Sequence, residues 1–103
     1  MPWVGVARED SMQDGQVAVY EFAERRVALC KASGHFYAID DVCTHDGGPL
    51  DQGHLDGFRI ECPRHGAKFD VTTGKAVALP AVRPVKTWAT RVVDGIVEIE
   101  VTP

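Results

Sequence analysis

Two short segments of this 103-residue chain each offer one thiol and one imidazole: Cys43-Thr44-His45 and Cys62-Pro63-Arg64-His65. The first spacing is Cys-x-His and the second Cys-x-x-His, with sixteen residues between His45 and Cys62. Both segments, 43–50 and 62–69, are dense in Gly and Pro, which favours tight loops over helix or strand. Loops of this kind facing each other bring two sulfur and two nitrogen ligands to one point. Those ligands are Cys43, His45, Cys62 and His65.

Two chemistries use that donor set. A tetrahedral zinc ion takes it in structural sites, which would make the chain a zinc-stabilised interaction module. A [2Fe–2S] centre in which two imidazoles replace two thiolates on one iron takes it as well. Zinc modules usually present a Cys pair and a His pair, whereas here each loop holds one of each. That mixing favours iron and sulfur, with the thiolates on one iron and the imidazoles on the other. The exchange of ligands removes two negative charges from the oxidised cluster, so an added electron is opposed less. Each unit charge at close range, at an effective dielectric of about 20, is worth roughly 4 kcal/mol. For a one-electron couple, at about 59 mV per tenfold, that is roughly 170 mV. The direction agrees with potentials of about −150 to +300 mV for mixed centres against about −400 mV for plant-type ones.

Residues beyond the ligands extend the pattern: Gly47-Gly48-Pro49-Leu50, His65-Gly66-x-x-Phe69-Asp70, Thr73-Gly74, Leu79-Pro80 and the final Asp94-Gly95. Together they resemble the Rieske family over essentially the whole chain. Within it, the chain is similar to the small soluble ferredoxins that serve bacterial ring-hydroxylating and related non-heme iron oxygenases. The resemblance implies an all-β fold, a Rieske-type antiparallel β sandwich in three layers with a cluster-binding subdomain of two loops. It implies a Rieske [2Fe–2S] cluster on Cys43, His45, Cys62 and His65 at one tip, with the histidines near solvent. Phe69 would pack beneath that cluster and the Leu79-Pro80 loop would lie over it. It also implies an NAD(P)H-dependent flavin ferredoxin reductase upstream and a terminal non-heme iron oxygenase downstream. The Rieske-like small subunit of an assimilatory nitrite reductase is an alternative within the same chemistry.

The chain departs from the quinol-oxidising branch of that family in two ways. That branch carries an extra cysteine in each loop, joined as a disulfide; here the matching positions are Gly48 and Arg64. It also places a serine two residues after the second histidine, where this chain has Ala67. Hydrogen bonds to the sulfurs raise the potential, so the expected value falls in the lower part of the Rieske range.

Composition sets the frame for these loops. One domain spanning 1–103 suffices for the length, and 45% hydrophobic with 25% charged residues is ordinary for a globular protein. A net charge of −4 argues against nucleic acid, which selects a basic stripe. No apolar run approaches a membrane span, and the N-terminus lacks the features of a secretory signal. The expected location is therefore cytoplasmic, without a membrane. There is no Gly-rich dinucleotide fingerprint after a strand, and no room for a second, mononuclear iron site. The chain is expected to carry electrons and to catalyse nothing itself.

The elements that must hold the loops read as short strands. Residues 3–7, 16–22, 26–32 and 36–39 alternate or run apolar, and the last three form a meander closed by a turn at 33–35. Further strands are expected at 58–61, 68–71, 87–93 and 96–101, the last two joined by Asp94-Gly95 as a type I′ hairpin. No helix of more than a couple of turns is expected. Cys30 reads as a small buried hydrophobe, His35 as an exposed turn residue, and His54 as a surface residue at no ligand spacing. Trp3 and Trp88 read as packing residues. Residues 40–70 hold seven acids against three bases, which could steer a partner toward the histidine tip. Arg64, beside His65, is the expected partner contact there.

Overall fold

The computed structural model describes residues 3–22, 24–44, 47–63 and 66–101. Val27, Ala28, Leu29 and Cys30 form an apolar run without alternation, and all four side chains are buried. Successive strand residues point to opposite faces, so their strand must be covered on both sides. It is β3 (Arg25–Ala32), an inner strand of an antiparallel sheet ordered β2 (Val17–Phe22), β3, β4 (His35–Asp40), β9 (Thr87–Trp88). Ala28 and Cys30, with Ile39 of β4, face one core. Val27 and Leu29, with Ala38, face the other.

Each core is closed by its own outer sheet. Val97 and Ile99 close one, from the sheet ordered β1 (Trp3–Arg8), β11 (Ile96–Glu100), β10 (Thr90–Val93). Leu55, Ile60 and Phe69 close the other. They belong to β5 (His54–Asp56), β6 (Arg59–Glu61) and β7 (Lys68–Asp70), in a sheet completed by β8 (Ala76–Ala78). The architecture is thus three antiparallel layers with the β2-β3-β4-β9 sheet in the middle. It is the layered β fold expected from the sequence.

Local signals account for most of the connections. Asp94 and Gly95 adopt φ of 51° and 77°, the left-handed pair that a type I′ turn requires. Ser33 and Gly34 do the same, so β4 starts at His35, one residue before the expected strand. A single 3-10 turn at Glu9–Ser11 follows β1, and no α-helix occurs among the described residues.

The expected strand over 87–93 is two strands. β9 pairs with β4 and β10 pairs with β11, and the break falls at Ala89. The Ala89 carbonyl accepts the Glu100 N–H at 2.9 Å, so there the chain leaves the middle layer for an outer one. Thr90 Oγ1 ties the crossing back by donating to the Phe36 carbonyl at 2.8 Å. Two strands, β5 and β8, were not expected.

Both tryptophans pack. Trp88 is buried, and its Nε1–H donates to Asp40 Oδ1 at 2.8 Å. Lys86 Nζ lies 4.3 Å from its ring centroid, while the Arg91 guanidinium lies 4.1 Å from the ring centroid of Trp3.

Candidate metal centre

The two cysteine loops are held by the same pair of main-chain hydrogen bonds. In the first, Cys43 N–H donates to the Gly48 carbonyl and Gly47 N–H donates to the Cys43 carbonyl, both at 2.7 Å. In the second, Cys62 N–H donates to the Ala67 carbonyl at 2.6 Å and Gly66 N–H to the Cys62 carbonyl at 3.3 Å. Each loop therefore closes from the cysteine to the residues four and five places on. The residue four on is glycine in both, at φ 76° for Gly47 and 74° for Gly66. A side chain there would be strained. Two separate stretches of sequence thus build one loop geometry twice.

Both thiols are buried and belong to one core, with Leu50, Ile60, Ala67 and Phe69 around them. Phe69 is fully buried in that core, as the sequence suggested. Among the described residues no three His, Cys, Asp or Glu side chains gather at metal-binding distance. A four-ligand site therefore depends on the imidazoles. His45 and His65, together with Asp46 and Arg64, lie outside the described residues. Two buried thiols on matched loops fit the sulfur half of a mixed cluster.

The loops differ in what anchors them. Loop 62–67 caps a hairpin, since Glu61 pairs with Lys68 across β6 and β7. Loop 43–50 instead bridges two sheets, running from β4 of the middle layer toward β5 of an outer one. Its far end is held by Asp41, whose side chain is fully buried. Asp41 Oδ1 accepts the Leu50 and Asp51 N–H groups, each at 2.8 Å. Its Oδ2 accepts from Arg26 Nη2 at 3.0 Å and Nε at 3.2 Å. A buried carboxylate is costly unless paired and hydrogen-bonded, and here both oxygens are used. In return, the hydrogen bond to Asp41 holds the Arg26 guanidinium more firmly protonated than usual.

Asp41 was not singled out in the sequence, where it reads as one acid in a run of seven. The run itself needs correction as a steering surface. Asp41 is buried, and Asp40 accepts from Arg25 Nη2 at 2.7 Å and from Trp88. Two of the seven acids thus serve the interior rather than a partner. Cys30 is buried as expected, and burial first, then the Asp41 charge, pushes its thiol up to about 12. It stays protonated and is no third thiolate. His35 and His54 are exposed, in keeping with surface roles.

Segment 79–84 lies against the first loop. Thr44 Oγ1 donates to the Arg83 carbonyl at 2.7 Å. Val42, Cys43, Thr44, Gly47, Arg83 and Pro84 line an open depression of about 480 Å³.

The sequence matches a family model described as the Rieske [2Fe-2S] domain over residues 2–89. The chain belongs to the Rieske [2Fe-2S] domain family. Its cofactor is therefore a Rieske-type [2Fe–2S] cluster rather than zinc. Among its Rieske relatives is the 3-phenylpropionate/cinnamic acid dioxygenase ferredoxin subunit of Photorhabdus laumondii, 38% identical and covering 94% of this chain and 92% of its own. The Sphingomonas yanoikuyae B1 ferredoxin superposes with a TM-score of 0.91 at 33% identity, over 98% of this chain and 100% of its own. A chain in the complex of reduced oxygenase and oxidized ferredoxin of carbazole 1,9a-dioxygenase also superposes at 0.91, with 34% identity over 94% and 91%.

Proposed function

We propose that this Rieske chain is a one-electron carrier. Cys43, His45, Cys62 and His65 hold the cluster, which when bound supplies one-electron acceptance and release. The electron comes from an NAD(P)H-dependent flavin ferredoxin reductase and goes to a terminal non-heme iron oxygenase. The protein is the ferredoxin component of such a system and has no catalytic role of its own. One domain carries the whole function, in the cytoplasm, where thiols are kept reduced. The observation that carries this reading is the matched pair of loops, each delivering a buried thiol to one core. The relatives are named as ferredoxins of dioxygenase systems, which favours an oxygenase partner over a nitrite reductase.

Within that role the chain's own residues bind, shield and present. Burial of Cys43 and Cys62 keeps water from the sulfur side of the site. On the segment beside the first loop, Leu79 and Val82 are each 77% exposed. Large apolar side chains left in water beside a redox site favour a partner that covers them. Arg64, next to His65, is the charged contact in the same proposal.

Reconstitution with the reductase and oxygenase of a 3-phenylpropionate dioxygenase system tests this. Product formation should require the chain. The double variant Leu79→Asp/Val82→Asp should slow electron transfer to the oxygenase roughly tenfold, the scale of one or two interface side chains, and leave the visible spectrum unchanged. Unchanged kinetics with both partners would remove segment 79–84 from the docking face.

A further inference from the structure

The two cysteine loops are alike in hydrogen bonding and unlike in support. Loop 62–67 inherits its register from the β6–β7 ladder, whereas loop 43–50 has no ladder at its far end. The Asp41 carboxylate stands in that place, gripping the Leu50 and Asp51 amides while its other oxygen is gripped by Arg26. Asp41 N–H also donates to the Arg26 carbonyl at 2.9 Å, so main chain and side chain fix the same pair. Asp41 precedes Cys43 by two residues, at most about 7 Å between Cα atoms. A charge so placed acts on whatever Cys43 binds.

We propose that Asp41 and Arg26 are a positioning pair for the first cysteine loop and that the balance of their opposite charges sets the reduction potential of the site. This rests on the reading that Cys43 is a cluster ligand. Arg26 is the adjustable member. Its side chain is 47% exposed and also lies 3.5 Å from Glu21 and 3.9 Å from Asp51. Removing it leaves a buried carboxylate uncompensated beside Cys43, and that negative charge opposes an added electron. Removing the Asp41 charge leaves Arg26 positive, which favours an added electron. Asparagine keeps one oxygen for the two amides, so Asp41→Asn changes charge more than it changes loop support.

The test is the midpoint potential at neutral pH of wild type, Arg26→Gln, Asp41→Asn and the double variant, each with its iron and sulfide content measured. Arg26→Gln should lower the one-electron reduction equilibrium by roughly threefold to tenfold, a tenfold change being about 59 mV. Asp41→Asn should raise it, and the double variant should return close to wild type. Single-variant shifts of the same sign, or no shift in Arg26→Gln, would overturn the proposal, because a purely structural clamp has no sign to reverse. If Asp41→Asn fails to fold, the fall in Arg26→Gln decides alone. Wild type without iron and sulfide would instead refute the ligand reading, so the two failures are distinguishable.

Discussion

Cys62→Ala is expected to yield colourless protein with less than roughly a tenth of the wild-type iron, and a marked loss of resistance to urea. The loop should still close, because Cys62 holds it through main-chain atoms: its N–H reaches Ala67 and its carbonyl receives Gly66. Alanine keeps both. What is lost is one sulfur, buried in the core shared with Cys43 and Phe69. Structural metal binding contributes on the order of 10 kcal/mol to folding in small metal domains, comparable to the whole stability of a typical domain. Cys30→Ala is the control. Its thiol is equally buried but held protonated, pushed up to about 12 by burial and by Asp41. It should keep its iron and lose only about 1–2 kcal/mol, the scale of a small cavity. Iron analysis and urea unfolding of both variants check this. Iron retained by Cys62→Ala would end the ligand assignment.

Gly53→Ala should be among the most damaging single-methyl changes outside the proposed ligands. Gly53 N–H donates to the Leu50 carbonyl at 2.9 Å, and the next residue, His54, pairs with Glu61. A Cβ at Gly53 would be driven into the Glu61 carbonyl, with the Leu50 carbonyl only 3.1 Å away. Both obstacles are backbone, so no side chain can swing aside. β5 would have to part from β6 at the residue that precedes Cys62. Overpacking of this kind costs about 1–3 kcal/mol and sometimes more, and the strain falls on the second loop. The expected result is a loss of about 3 kcal/mol in urea unfolding, with faster iron release to a chelator. Gly47→Ala offers a comparison, since a Cβ there meets nothing within 4 Å and only the φ of 76° opposes it. It should cost about 1–2 kcal/mol. Wild-type stability and iron release in Gly53→Ala would contradict the close approach of β5 to Glu61.

What the sequence made legible follows from the range over which each signal acts. The cysteine spacing, the Gly-Pro density of 43–50 and the Asp-Gly hairpin are local, and local chemistry fixed their structure. The layering is expected only from the family resemblance, although the run Val27-Ala28-Leu29-Cys30 agrees with it. Four apolar residues in succession signal a strand buried on both faces, which is what a middle sheet requires. β5 (His54-Leu55-Asp56) holds a single apolar residue and β8 (Ala76-Val77-Ala78) does not alternate. Neither shows the alternation over 58–61 and 68–71 that marks the equally short β6 and β7. The division of 87–93 at Ala89 has no local mark, because it is set by partners in two different sheets. Asp41 is the instructive miss. Its role lies in Arg26, fifteen residues earlier, and in amides nine and ten residues later. Nothing in the string Asp40-Asp41-Val42 separates the buried clamp from an acid in solvent. The imidazoles, for their part, are known only from their spacing.

The central claim is that two sulfurs and two imidazoles share one pair of irons. Electron–nuclear double resonance on the dithionite-reduced protein tests it most directly, alongside iron and acid-labile sulfide analysis. Two irons, two sulfides and nitrogen couplings from two imidazoles, one of them lost in each of His45→Cys and His65→Cys, is the expected result. A reduced cluster without nitrogen coupling, or a colourless protein holding a single zinc, would contradict it.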